Sequence, residues 1–178
     1  MRVVLDMNLI VRAAGNQRGL ARELLSLALG ESHTLVLSHS LYAEVEKVVH
    51  YPRLQALHGW NNAEIRQFLD LLVLGSEQVA VVGYPIGPPV GLDPADDSVL
   101  LTATAGQAEV LGTNNRHFFA PDVEQFTASH GVRILRDVDL IKRCDGRKGN
   151  CRANKHKHVC PTRKIGSRSY SRTSFTSF

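Results

Sequence analysis

The sequence predicts an α/β fold: a three-layer α/β/α sandwich around a mostly parallel sheet of roughly five strands. Short apolar runs rich in β-branched residues alternate with longer segments whose apolar residues recur at helical spacing. Alternation of this kind favours parallel strands joined by helices that cover both faces of the sheet. The length of 178 residues suits one ordinary domain with a short appendage.

Short apolar runs predict the strands. The first run, residues 2–5, stands at the start of the chain and ends at Asp6. The other predicted strands are residues 34–37, 78–82, 109–112 and 132–135.

Helical periodicity predicts the segments between the strands. The predicted helices are residues 18–30, a segment capped by Ser38 or Ser40 that stops before Pro52, a segment capped by Asn61 or Asn62, a segment with Val99, Leu100 and Ala103 facing inward, and residues 121–130. Residues 83–94 are rich in Gly and Pro and are predicted to form a loop.

Charge is distributed unevenly along the chain. Of the 21 basic and 17 acidic residues, eleven basic and one acidic lie in 142–178, which leaves 10 basic and 16 acidic residues in 1–141. We therefore predict a domain over 1–141 and a basic, Ser-, Arg- and Lys-rich disordered tail over 142–178. The excess of carboxylates in the domain suits a divalent metal site, and it leaves attraction to phosphate to the tail or to a second subunit.

Several classes of protein are disfavoured by composition. No apolar run approaches the roughly 18–20 residues that a membrane helix needs, and the early Asp6 argues against a signal peptide. All three cysteines follow residue 143, so the domain has no predicted disulfide. The expected location is cytoplasmic.

Three acidic residues occupy positions that suggest a common site. Asp6 follows the first predicted strand, and ligands bind at the carboxyl ends of parallel strands. Glu44 shares a helical face with Leu41 and Val48, and Asp96 begins the apolar face of the helix after the loop. Since a buried carboxylate is costly unless it is paired or bound to a metal, these acids predict a cation site, and hard oxygen ligands select Mg²⁺ or Mn²⁺.

Each acid alone also has an ordinary structural interpretation. Asp6 could cap the following turn, and Glu44 could lie in water at the margin of its apolar face. Asp93, Asp96 and Asp97 could be helix N-terminal acids that the helix dipole favours. The prediction of a shared site depends on their joint spacing.

Four segments, in order, resemble the PIN-domain family, in the branch of VapC-like toxins of toxin–antitoxin pairs. Residues 3–8, Val-Val-Leu-Asp-Met-Asn, resemble a strand followed by the family's Asp-Thr-Asn, with Met7 in place of Thr. The other segments are residues 38–53, 93–103 and 112–118. The resemblance covers about residues 2–135, and no tail like 142–178 belongs to it.

The resemblance implies the roles of individual residues. Asp6, Glu44 and Asp96 would be catalytic metal ligands for Mg²⁺ or Mn²⁺, and Asn114 would occupy a fourth, usually acidic, catalytic position. Asn115 is its rival, because the alignment of that segment can slip by one residue. The residues expected to support the site are Asn8, Ser38, Asp93, Asp97 and Asn115. The implied partners are an RNA substrate, a cognate antitoxin and a second copy of the chain, with no membrane.

The leading functional prediction is a metal-dependent endoribonuclease that acts as the toxin of a type II pair. The alternative is an RNA-binding module of the same fold with weak or lost catalysis, which the neutral amides of Asn114 and Asn115 favour. A phosphatase with Asp6 as nucleophile is disfavoured, because Asn8 stands where a second acid is expected and no matching Lys motif follows.

Overall fold

A parallel sheet of five strands forms the centre of the part of the chain that the structure describes. The computed structural model describes residues 1–81 and 94–149. The strands are β1 (Arg2–Leu5), β2 (Thr34–Ser38), β3 (Ser76–Val79), β4 (Val110–Gly112) and β5 (Arg133–Leu135). They lie in the order β3-β2-β1-β4-β5, and every neighbouring pair is parallel. The predicted α/β fold with a five-stranded parallel sheet is confirmed.

Helices connect the strands and cover the sheet. They are α1 (Met7–Gly15), α2 (Leu20–Ala28), α3 (His39–Val49), α4 (Pro52–His58), α5 (Asn62–Gly75), α6 (Pro94–Ala105), α7 (Pro121–Ser129) and α8 (Asp137–Gly149), with a 3-10 helix at Arg116–Phe119. Crossovers between parallel strands are right-handed, so the reversal in strand order places α1 to α5 on one face and α6 and α7 on the other. Helix α8 packs against α2 on the first face.

Side-chain caps fix where several helices begin. Asp6 precedes α1 and accepts the backbone N–H of Asn8. Ser38, the last residue of β2, caps α3, and Asn61 caps α5 in a reciprocal capping box with Glu64. Of the alternative caps that the sequence left open, the structure selects Ser38 and Asn61.

The core lies between the sheet and its helices. Strands β1, β2 and β4 are central and their apolar side chains are buried, Val3 and Val4 being 0% exposed. The edge strand β3 is largely exposed along its length. The rigid centre of the molecule is therefore the β2-β1-β4 part of the sheet.

Several elements differ from the sequence prediction, and among them helix α8 and the 3-10 helix at Arg116–Phe119 were not predicted. Helix α1 was not predicted, because residues 9–11 are three consecutive apolar residues, two of them β-branched, and resemble a strand. Helix α4 was not predicted, because it buries no residue and so has no apolar stripe. Strand β3 begins and ends earlier than the predicted 78–82, because an exposed edge strand lacks the apolar pattern that marks a buried one.

The predicted domain boundary at residue 141 lies inside α8, which continues to Gly149. Cys144, assigned to the tail from the sequence, is buried in the core. The predicted loop at 83–94 lies outside the described residues except for Pro94, which begins α6. The rest of the predicted tail, residues 150–178, also lies outside them. None of the described helices combines the length and the apolarity that a membrane span requires.

Candidate active site

The candidate site lies at the carboxyl ends of β1 and β4. These neighbouring strands meet where the strand order reverses, the place where α/β sheets form ligand-binding crevices. The backbone N–H of Asp6 donates to the carbonyl of Gly112, the last residue of β4, at 2.8 Å. The loop that follows β4, residues 113–115, therefore begins beside Asp6.

Asp6 is a buried carboxylate with neutral partners. Its side chain belongs to a residue that is 2% exposed. The hydroxyl of Thr113 donates to Oδ2 at 2.7 Å, and the backbone N–H of Asn8 donates to Oδ1 at 3.3 Å. These hydrogen bonds fix the carboxylate, and within the described residues no ion pair neutralises it.

Asp96 brings a second buried carboxylate from the first turn of α6. The residue is 7% exposed. The side-chain amide of Asn115 donates to both carboxylate oxygens, at 3.0 and 3.1 Å. The ring of His117 lies close by, with Nδ1 3.8 Å from Oδ2. The loop after β4 thus reaches the acid of α6 as well as the acid of β1.

Thr113 joins the two halves of this arrangement. Its Oγ1 donates to Asp6 and accepts the backbone N–H of Asn115 at 3.0 Å, and the residue is 0% exposed. A continuous set of hydrogen bonds therefore runs from Asp6 through Thr113 and Asn115 to Asp96. Two acids 90 positions apart in the chain are thus connected by two residues of one loop.

The orientation of the Asn115 amide is fixed from its other end. Its Oδ1 accepts the backbone N–H of His117 at 3.1 Å and caps the 3-10 helix. The oxygen is therefore occupied, and the NH₂ group faces Asp96. In this arrangement Asn115 is a hydrogen-bond donor to the carboxylate, and its oxygen is not offered to the space beside Asp96.

Asn114 points to a different partner. Its Nδ2 donates to Oδ2 of Asp137 at 2.7 Å, and its Oδ1 accepts the backbone N–H of Asp137 at 3.3 Å. The two adjacent amides, which the sequence left as rivals for one position, thus have separate places. Asn115 lies against Asp96, and Asn114 lies against the start of α8.

Glu44 lies on α3, which packs against both α1 and α6. The residue is half-buried, and its carboxylate makes no hydrogen bond or ion pair within the described residues. Glu44 therefore lies on a helix that packs against α1, which follows Asp6, and against α6, which carries Asp96. Its carboxylate contacts neither acid.

Hydroxyl groups hold α3 against α6. The buried Ser38 and Thr102 side chains share a hydrogen bond of 2.7 Å, and Ser98 donates to Ser40 at 3.0 Å. Ser38 also accepts the backbone N–H of Leu41 at 3.2 Å. These contacts fix the position of the helix that carries Glu44 relative to the helix that carries Asp96.

Comparison with known proteins identifies the family. A PIN-domain family model matches residues 2–117. The chain belongs to the PIN-domain family. PIN domains are generally nucleases that use divalent metal ions.

One solved structure is similar to this PIN domain: the crystal structure of VapBC2 from Rickettsia felis bound to a DNA fragment from their promoter. The TM-score is 0.48 at 18% sequence identity, over 76% of this chain and 98% of that chain. No curated protein matches the chain.

The side chains of this PIN domain supply part of a donor set for a divalent ion. Within 1–81 and 94–149, no group of three or more Asp, Glu, His or Cys side chains has an arrangement that could hold a metal ion. The connected pair Asp6 and Asp96 fits a hard cation in its chemistry, because both supply carboxylate oxygens that are buried and held in place. Glu44 is not brought to them, so its role as a third ligand stays a prediction.

The other expected residues have mixed positions. Asn8 is exposed and contacts Asp6, Asp97 is half-buried beside Asp96, and Asp93 lies outside the described residues. Thr113 was not among the predicted site residues, although it contacts Asp6 and Asn115. The sequence signal for it is its place directly after a buried strand, between Gly112 and two amides.

Proposed function

We propose that this PIN domain is a Mg²⁺- or Mn²⁺-dependent endoribonuclease that hydrolyses phosphodiester bonds. The observation that carries the proposal is the buried pair Asp6 and Asp96, joined through Thr113 and Asn115 at the reversal point of the sheet. Asp6 has no cationic partner within the described residues, and a buried carboxylate without one costs several kcal/mol, on the order of a whole domain's margin of stability. Such a carboxylate favours a cation from solution.

In this proposal each residue has one task. Asp6, Asp96 and Glu44 bind the ion; Thr113 and Asn115 orient the first two carboxylates through their hydrogen bonds. The contact between Ser38 and Thr102 positions α3, and with it Glu44. A bound Mg²⁺ or Mn²⁺ supplies Lewis-acid stabilisation of a phosphoryl oxygen and activates water for attack on phosphorus.

RNA as substrate and the role of a toxin rest on the resemblance of the four sequence segments to VapC-like proteins. The same resemblance supports an antitoxin partner and a homodimer. The toxin role predicts that induced expression of the chain arrests bacterial growth, and that Asp6→Asn abolishes the arrest at equal protein level. Growth arrest that persists with Asp6→Asn would show that hydrolysis is not its cause.

The nuclease proposal is tested by cleavage of a fluorescent single-stranded RNA during titration with Mn²⁺, and with EDTA as the zero point. We expect cleavage to require the metal and to be lost in Asp96→Asn and reduced in Glu44→Gln. The matched controls are Asp70→Asn, an exposed acid of α5, and Glu46→Gln, an exposed acid on α3 two residues from Glu44. Metal-independent cleavage, or equal loss in the controls, would contradict the assignment.

A second candidate is a non-enzymatic RNA-binding module, and the Asn115 contact favours it. Where the resemblance expects a fourth acid, a neutral amide donates to Asp96 and partly satisfies the carboxylate without an ion. RNA that is retained but uncut at saturating Mn²⁺ supports this candidate over the nuclease.

A further inference from the structure

A row of polar contacts extends from the acid pair along the carboxyl edge of the sheet. Asn114, between the two loop residues that contact Asp6 and Asp96, is hydrogen-bonded to Asp137 at the start of α8. Asp137 in turn pairs with Arg12 of α1, with Oδ2 3.3 Å from the guanidinium. Arg12 is thus connected to the candidate site through Asp137 and Asn114.

Asp137 is a rigid anchor for this row. The residue is 6% exposed. Its Oδ2 accepts from Asn114 at 2.7 Å, and its Oδ1 accepts the backbone N–H of Val138 at 2.8 Å. Because both oxygens are already held, the carboxylate fixes the guanidinium that contacts it.

Arg12 is exposed and only partly occupied. Its side chain is 55% exposed, and within the described residues its one hydrogen bond goes from a terminal nitrogen to Asp137. A guanidinium has five N–H donors in a planar fork, a geometry that matches phosphate oxygens bidentately. The remaining donors of Arg12 are available to a ligand from solution.

A domain with an excess of negative charge needs exposed cationic side chains, such as that of Arg12, if it is to bind a nucleic acid. Residues 1–141 hold 10 basic and 16 acidic residues, so their overall charge repels a phosphate backbone. Arg12 lies on α1, six residues beyond Asp6, the N-cap residue of that helix, which corresponds to about 9 Å along the helix axis at 1.5 Å per residue. The guanidinium is therefore placed for a phosphate that neighbours the one at the acid pair, and not for that phosphate itself.

We propose that Arg12, anchored by Asp137, forms a subsite for a backbone phosphate of the nucleic acid strand, adjacent to the Asp6 and Asp96 site. The inference rests on the proposed function in taking the acid pair as the reaction centre. It deepens that function by naming the residue that holds the strand.

The test measures binding separately from cleavage. A fluorescein-labelled single-stranded RNA is titrated with the full chain, and anisotropy is followed in EDTA and again in Ca²⁺ over a series of NaCl concentrations. The variants are Arg12→Ala, Arg12→Lys and the control Arg66→Ala, an exposed arginine on α5 beside the opposite edge strand β3. Circular dichroism and thermal unfolding show whether each variant folds, which is expected because both arginines are exposed.

We expect Arg12→Ala to weaken binding about tenfold, as for a lost hydrogen bond to a charged group, and to reduce the slope of log K against log salt by about 0.7. Arg12→Lys should keep the slope, because the charge remains, and lose part of the affinity, because the fork is gone. Arg66→Ala should match the unchanged chain.

Two results would overturn the subsite. One is an Arg12→Ala chain with unchanged affinity and slope in both buffers, even if its unfolding temperature falls, since Arg12 would then be a structural ion pair only. The other is no RNA binding by the unchanged chain in either buffer. Binding through Arg12 without Mn²⁺-dependent cleavage would instead keep the subsite and remove the nuclease proposal, so the two failures are distinguishable.

Discussion

The two ends of the sheet differ in what their acidic residues contact. At the amino end, Arg2 donates to both carboxylate oxygens of Glu77, at 2.7 and 2.9 Å. At the carboxyl end, Asp6 accepts its hydrogen bonds from neutral groups. Arg2 also donates to the carbonyl of Gly106 at 2.9 and 2.7 Å. The hydrogen bond with Arg2 holds the pKa of Glu77 below its ordinary value, and the same bond raises the pKa of Arg2. Charge at the amino end is balanced within the chain.

The acidic residues at the two ends of the sheet also differ in how deeply they are buried. The side chain of Glu77 is 48% exposed, whereas Asp6 and Asp96 are 2% and 7% exposed. Exposed charges need little compensation, because water screens them; buried ones need a great deal. The Arg2 and Glu77 pair is largely exposed, whereas the buried Asp6 accepts its hydrogen bonds from Thr113 and Asn8 and forms no ion pair within the described residues.

The largest expected effect is that of Asp6→Asn on catalysis. The loss of a metal ligand should lower RNA cleavage by about 100-fold or more, because the ion contributes several kcal/mol to the transition state. The metal-free protein should lose about 1–2 kcal/mol, since Asp6 accepts from Asn8 through Oδ1 and from Thr113 through Oδ2, and an amide has only one oxygen to accept these hydrogen bonds. Single-turnover cleavage in Mn²⁺ and thermal unfolding in EDTA measure the two effects.

Arg2→Ala is the comparison variant for Asp6→Asn, because it removes charge from the other end of the sheet. It should leave cleavage unchanged. Equal loss of cleavage in both variants would mean that the two ends do not differ in function.

The next effect in size is structural and concerns the leucine side chains that pack against Gly112 at the end of β4. A Cβ at Gly112 would lie 2.6 Å from Cδ2 of Leu140 and 2.9 Å from Cδ2 of Leu5. Gly112→Ala should therefore destabilise the protein by about 1–2 kcal/mol through overpacking, because the ends of two leucine side chains must shift, and it should disturb Asp6, whose backbone N–H donates to the Gly112 carbonyl. Chemical denaturation measures the change.

Gly15→Ala is the matched control for that substitution, because the nearest atom to its added Cβ is 3.9 Å away. It should be neutral or slightly stabilising in its helix. If both glycine variants behaved alike, close packing at the carboxyl end would not be what Gly112 provides.

A smaller effect is expected when a charge is added beside Asp96. Asn115→Asp keeps an oxygen to accept from His117, so the cap of the 3-10 helix survives, but it replaces a donor to Asp96 by a like charge. The metal-free protein should lose about 1 kcal/mol, and Mn²⁺ should restore more stability than it gives the unchanged chain.

Thermal unfolding of Asn115→Asp with and without Mn²⁺ gives that comparison, with Asn62→Asp, exposed at the first turn of α5, as control. An Asn115→Asp chain that is fully stable in EDTA and gains no stability from Mn²⁺ would contradict the interpretation that the Asn115 amide stabilises the Asp96 carboxylate in the metal-free protein.

Most of the buried part of the fold was predictable because its elements carry a pattern, and the exception is α1, whose consecutive apolar residues resemble a strand. Strands β1, β2, β4 and β5 are short apolar runs, and α2, α3 and α5 have a clear apolar face with a cap or a stop. Elements with one exposed side lacked that signal: α4 buries no residue and β3 is an edge strand. The end of α8 was missed because charge composition, not packing, marked the predicted boundary.

The candidate site was predictable residue by residue only in part. Asp6 and Asp96 were marked by their places at a strand end and on an inward helix face, and both are buried. Which amide contacts Asp96 was not predictable, because adjacent residues of an irregular loop have no fixed direction. The same limit hid Thr113 and Asp137, whose roles depend on side-chain contacts across the sheet edge.

The smallest expected effect is the pH dependence of the Arg2 and Glu77 pair. The folded-state pKa of Glu77 lies below its ordinary value of 4.5, so the stability it contributes is full above about that value and is lost as the pH falls through the lower, folded-state pKa. Glu77→Gln should therefore lower the unfolding temperature slightly at pH 7, because the pair is exposed, and the difference from the unchanged chain should vanish in acid. The control is Glu31→Gln, at an exposed acid that forms no ion pair within the described residues, and it should show no such convergence. A Glu77→Gln difference that persisted unchanged at pH 3 would mean that packing of the side chain, and not its charge, stabilises the amino end, and the contrast between the two ends of the sheet would then concern burial alone.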